Sequence, residues 1–90
     1  MAAVVFALGQ IVITQGALAA LTAKDAMLGL LRHSKADWGD VGPEDAQLND
    51  AALNDGTRLL SAYRSSNGVR FWIITEADRS VTTILLPEEY

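Results

Sequence analysis

Among 90 residues this chain has one histidine, and that limits the chemistry it could do. His33, Asp37 and Asp40 make a His-x3-Asp-x2-Asp set that could hold a divalent cation or support acid–base work. Trp38 and Pro43 stand where a calcium loop wants ligands or turn residues. The plainer expectation is a histidine at a helix C-terminus, favoured by the dipole, followed by solvated turn aspartates. A second group, Thr75-Glu76-Ala77-Asp78-Arg79-Ser80, gathers carboxylates, a guanidinium and hydroxyls in a turn that could grip a phosphate or a partner's charged group. Its plainer form is an Asx turn at Asp78 with Arg79 paired to Glu76 or Asp78. No Ser–His–Asp order, glycine-rich phosphate loop or paired-cysteine spacing is present. Cysteine is absent altogether, which excludes disulfides and thiolate metal sites. No catalytic residue, metal or cofactor is therefore assigned.

Recognition surfaces offer more. Trp38 lies between Asp37 and Asp40 and either plugs the core edge or anchors a partner. Residues 36–57 hold six acids (Asp37, Asp40, Glu44, Asp45, Asp50 and Asp55) and no base. Such a run is either a solvated helix face or an acidic surface for a basic partner, including one that mimics DNA phosphates. The net charge is −4 and the seven bases are scattered, which disfavours nucleic acid as a partner. A strand face could still gather three of the arginines. His33, Tyr63 and Arg79 are the candidate groups if the chain acts on nucleic acid.

These residues need elements to position them. Asn67-Gly68 between apolar runs is a strong hairpin signal, and predicts strands over Arg58–Ser65 and Val69–Glu76 joined by a type I′ turn. A further turn at Ala77-Asp78-Arg79 leads into Ser80–Leu86. With two turn residues, Tyr63 faces Trp72 and both share a sheet face with Leu59, Ile74, Val81, Thr83 and Leu85. That aromatic face is either core or an interaction surface. Upstream, Gln10–Thr14 reads as a strand buried on both faces, preceded by a shorter strand or an arm from Ala2 to Leu8. Thr14 and Thr22 cap two short helices, the second running to His33 with Met27, Leu30 and Leu31 as its buried stripe. Gly42-Pro43 starts a third, with Leu48, Ala51 and Ala52 turned inward and Gly56 ending it. The fold class is α+β, one domain over residues 1–90: a three-stranded antiparallel C-terminal meander plus an N-terminal strand, covered by two or three short helices.

Leu8-Gly9-Gln10-Ile11-Val12, the block from Arg32-His33 to Asp37-Trp38-Gly39-Asp40, and the run from Ile73 to Thr83 with Leu86-Pro87-Glu88-Glu89-Tyr90 resemble a family of small bacterial proteins labelled "plasmid-related protein". The resemblance implies a cytoplasmic accessory protein of a plasmid or integrated element, and brings no catalytic residue with it. The first 23 residues carry no charge, but a positive n-region is missing and Gly9-Gln10 and Thr14-Gln15-Gly16 interrupt the apolar run, so neither a signal peptide nor a membrane span is expected. The expected function is a non-enzymatic protein-interaction module whose partner is a protein, a homodimer being allowed. Its contact residues are expected among Tyr63, Trp72, Trp38, Asp37, Asp40, Asp45, Glu76, Asp78 and Arg79.

Overall fold

The computed structural model describes residues 5–90. In chain order the elements are β1 (Gln10–Ile13), α1 (Gln15–Ala20), α2 (Ala23–Ser34), α3 (Pro43–Asp55), β2 (Leu59–Arg64), β3 (Arg70–Thr75) and β4 (Val81–Leu85), closed by a 3-10 turn at Pro87–Glu89. The strands form one sheet in the order β1-β4-β3-β2, with β1 parallel to β4 and the other pairs antiparallel. This is the expected α+β class. Of the N-terminal arm, residues 5–8 form no strand, and the rest lies outside the described residues.

Local chemistry sets the helix starts as expected. Thr14 Oγ1 accepts from the Ala17 N–H at 3.2 Å, and Thr22 Oγ1 from the Asp25 N–H at 3.1 Å. Pro43 opens α3 behind Gly42, and Gly56 at φ 76° ends it.

The first hairpin departs from expectation. Ser65 N–H donates to the Val69 carbonyl at 2.8 Å, and Gly68 N–H to the Ser65 carbonyl at 3.0 Å. Gly68 has φ +85°, whereas Asn67 is not among the left-handed residues, so this is a three-residue loop with a left-handed glycine. The Ser65 hydroxyl holds it, accepting from the Val69 N–H at 3.0 Å and bonding the Asn67 side chain. One extra loop residue shifts the register by one: Tyr63 pairs with Phe71, and Trp72 with Ala62. Tyr63 and Trp72 therefore lie on opposite faces, and the expected shared aromatic face does not exist.

One face carries Leu59, Ser61, Tyr63, Phe71, Ile73, Thr75, Thr82 and Ile84, all buried beneath the helices. The other carries Arg64, Arg70, half-buried Trp72 and buried Ile74 and Leu85, with Tyr90 packed edge-on to Trp72 at 5.7 Å.

Two helices are rotated from their expected orientation. α2 turns Ala26, Gly29 and His33 to the sheet and leaves Met27 (69% exposed) and Leu31 (50%) outside. Close approach explains it: a Cβ on Gly29 would lie 2.8 Å from the Phe71 ring, so only small residues fit beneath. α3 buries Asn49 and Ala52, while Leu48 is exposed. β1 was expected to be buried on both faces. It is an edge strand, with Ile11 43% and Val12 39% exposed.

Candidate functional site

The residues expected to carry chemistry are committed to structure. His33 is fully buried, not displayed at a helix end. Its Nδ1 lies 2.5 Å from Ser61 Oγ and its Nε2 2.9 Å from Thr75 Oγ1. Thr75 Oγ1 is 2.7 Å from Thr82 Oγ1, which donates to the Leu8 carbonyl at 2.6 Å. That carbonyl only accepts, so the direction of the whole chain is fixed. Thr82 donates to Leu8, Thr75 to Thr82, His33 Nε2–H to Thr75, and Ser61 to the bare Nδ1. The imidazole is neutral, and burial pulls its pKa from 6.5 down to about 4. A rail of hydrogen bonds thus runs under the helices from β2 through β3 and β4 to Leu8, two residues before β1.

With both ring nitrogens taken, His33 does not join Asp37 and Asp40 in a cation site. The Asp37 carboxylate accepts from Arg32 Nε at 2.8 Å, which holds its pKa below the usual carboxylate range. Among the described residues no cluster of three histidine or acidic side chains could hold a metal. Tyr63 is buried, its hydroxyl donating to the Asp37 carbonyl at 2.5 Å, and burial pushes its pKa up to about 12. Arg79 does not pair with Glu76 or Asp78 carboxylates. It donates to the carbonyls of Thr57 at 2.7 Å and Ala52 at 2.9 Å, tying the last turn to the end of α3. Asp78 forms the expected Asx turn, accepting from the Ser80 N–H at 3.0 Å. The groups proposed for action on nucleic acid are therefore not assembled at one place.

Trp38 plugs the core, 6% exposed, with Nε1–H donating to Asp50 at 3.0 Å. Of the six acids, Asp37, Asp50 and Asp55 hold local structure, and Asp40, Glu44 and Asp45 are exposed. Glu76 is exposed at the end of β3.

What sequence reasoning missed is the contrast between the sheet's two edges. Along β2 the outward backbone groups belong to Leu60, Ala62 and Arg64. Asn49 brackets Leu60, its Nδ2 donating to the carbonyl at 2.8 Å and its Oδ1 accepting from the N–H at 3.1 Å. Ala62 donates to the Trp38 carbonyl at 3.0 Å and accepts from the Asp40 N–H at 2.7 Å. Gly39, at φ +74°, allows this approach, since a Cβ there would sit 2.1 Å from the Ala62 oxygen. That edge is closed at Leu60 and Ala62.

At β1 the Gln10 and Thr14 N–H groups donate to Ser80 and Ile84. The alternating pattern turns the N–H and C=O of Ile11 and Ile13 away from β4, and no described residue meets them. Along α2 runs an apolar groove of about 700 Å³, lined by Met27, Leu28, Leu30 and Leu31 with Lys24 and Ser34, and by Leu8 from the segment that leads into β1. Its placement follows from α2. Arg32 stacks on Tyr63 and Asp25 accepts from Ser66, so that flank faces β2, and Met27 and Leu31, opposite buried Ala26, Gly29 and His33, point away from the sheet. Val5, 53% exposed, continues the surface, its N–H bonded to the Ser34 carbonyl at 3.0 Å. The one usable sequence signal was a helix with too many apolar positions for a single buried stripe.

No protein-family model, curated protein or solved structure matches this chain. Among the described residues, no helix is long and apolar enough to cross a membrane.

Proposed function

We propose that this chain works by binding another polypeptide and not by catalysis, as a cytoplasmic accessory protein of a mobile element. The observation that carries the reading is an exposed apolar face along α2, in a molecule that also has a strand edge at β1 that no described residue caps. Backbone hydrogen bonds along such an edge supply affinity, and adjoining apolar pockets supply selectivity. Met27, Leu28 and Leu31 contribute nothing to the core, so their apolar character is explained by what they meet outside it. The histidine, tyrosine and arginine that could have served chemistry are held in internal bonds. The contact residues are Val5, Leu8, Ile11, Val12, Met27 and Leu31, a different set from the one expected.

The test immobilises the wild-type chain and a Met27→Glu/Leu31→Glu variant and compares the proteins each retains from bacterial lysate. Both changes are at exposed positions and leave folding stability within about 0.5 kcal/mol. The reading expects the variant to lose the proteins that the wild type retains. Equal retention by both, or recovery of nucleic acid in place of protein, overturns it.

A further inference from the structure

We propose that the sheet face opposite the helices binds a nucleoside monophosphate, in a pocket between the start of β3 and the C-terminal 3-10 turn. This site is separate from the α2 face and does not depend on it.

Register gathers the cations. Arg64 pairs directly with Arg70, and both side chains are exposed. The Ser65 N–H donates to the Val69 carbonyl, so the next pair along, Arg64 with Arg70, is of the closer, non-hydrogen-bonded kind. Like charges directly opposite each other in a sheet are unfavourable. Neither guanidinium is offset by a carboxylate, because among the described residues the one ion pair joins Arg32 to Asp37. Arg58 reaches the same face. Its guanidinium lies over the Tyr90 ring at 5.4 Å and bonds the Tyr90 hydroxyl, and Tyr90 packs on Trp72. Three of the seven bases of an acidic chain thus stand on one face, around two aromatic rings. An anion bound there would offset the repulsion.

A cavity lies among these groups. It measures about 430 Å³ and is lined by Val69, Arg70, Trp72, Leu86, Pro87 and Glu88. That volume is in the range of small-molecule sites, and so is the pattern of apolar walls with few polar groups. Half-buried Trp72 supplies a flat wall on which a nucleobase can stack. Arg70, with Arg64 opposite it, supplies charge-assisted donors for a phosphate. Glu88 lines the same cavity without pairing to Arg70, and as a carboxylate it accepts from a ribose hydroxyl or a base amine.

The three chemistries together select the ligand. Inorganic phosphate leaves the indole unused. A nucleoside leaves the arginine pair without its counter-charge. An acidic peptide meets Glu88 with like charge. A nucleic-acid strand laid along the face meets exposed Glu76 at the other end of β3, on a chain of net charge −4. A nucleoside monophosphate has an anionic end, a flat ring and hydrogen-bond donors within one small molecule.

Titration of the wild-type chain with adenosine and uridine monophosphate tests this, by calorimetry and by tryptophan fluorescence. Trp72 gives the optical signal, since Trp38 is buried. The proposal expects saturable, sub-millimolar binding that quenches the fluorescence. Arg64→Gln/Arg70→Gln and Trp72→Leu should each weaken binding by about tenfold or more, with circular dichroism unchanged. Should Trp72→Leu unfold, the arginine variant decides alone. Met27→Glu/Leu31→Glu should bind as the wild type does, and a loss there would overturn the assignment to this face. Absence of saturation, or binding unaffected by the arginine variant, overturns the proposal. So does inorganic phosphate or adenosine binding as tightly as the monophosphate, or a short single-stranded oligonucleotide binding more tightly than it.

Discussion

The two edges of the sheet are built in opposite ways. At β2, an asparagine from α3 and two residues of the loop before it, Trp38 and Asp40, satisfy the outward N–H and C=O groups of Leu60 and Ala62. At β1, Ile11 and Ile13 leave theirs open. Buried backbone polar groups need partners and exposed ones can use water, so the difference lies in where the molecule excludes solvent. At one edge the protein does this internally. At the other no described residue does so.

The largest effect expected comes from reopening the closed edge. Gly39→Ala places a Cβ 2.1 Å from the Ala62 oxygen at a left-handed φ, and should cost about 2–4 kcal/mol. Asn49→Ala removes both bonds to Leu60 and should cost about 1–3 kcal/mol. Urea unfolding measures both, and losses below about 0.5 kcal/mol would mean that the cap is incidental.

A second effect tests the rail that connects the edges. Native His33 stays neutral down to about pH 4, whereas the unfolded chain takes up a proton below about 6.5. The unfolded state therefore binds more protons in that window. Stability is full above pH 6.5 and falls as pH drops toward 4, by about 3 kcal/mol in all. Unfolding free energies between pH 7 and 4 check this, with His33→Gln expected to flatten the dependence. An unchanged slope in that variant would assign the acid sensitivity elsewhere. Asp25, Asp37, Asp78 and Glu89, each held low by hydrogen bonds, begin to contribute at the acid end of that window and continue to do so below it.

Much of the fold is legible in local signals. Thr14, Thr22, Pro43 and Gly56 mark helix ends through chemistry carried by the residue itself, and β-branched and aromatic runs mark the strands. The site was not legible, for two physical reasons. Asn67-Gly68 suits either a two-residue or a three-residue loop, and the Ser65 hydroxyl two positions earlier selects the longer one. That single residue of register moved Tyr63 away from Trp72 and dissolved the expected aromatic face. The orientation of α2 was hidden likewise, because Met27 and Leu31 look like core by hydropathy. What fills the core is decided by the Phe71 ring, which leaves room only for Gly29. Both are tertiary choices between locally equivalent options.

The contrast between the edges can be read directly from amide hydrogen exchange. Leu60 and Ala62 amides, closed within one chain, should exchange slowly. Ile11 and Ile13 amides should exchange at least tenfold faster, because no described residue closes them. Ile11 and Ile13 rates as slow as those of Leu60 and Ala62 would contradict the account, because β1 would then be covered as β2 is.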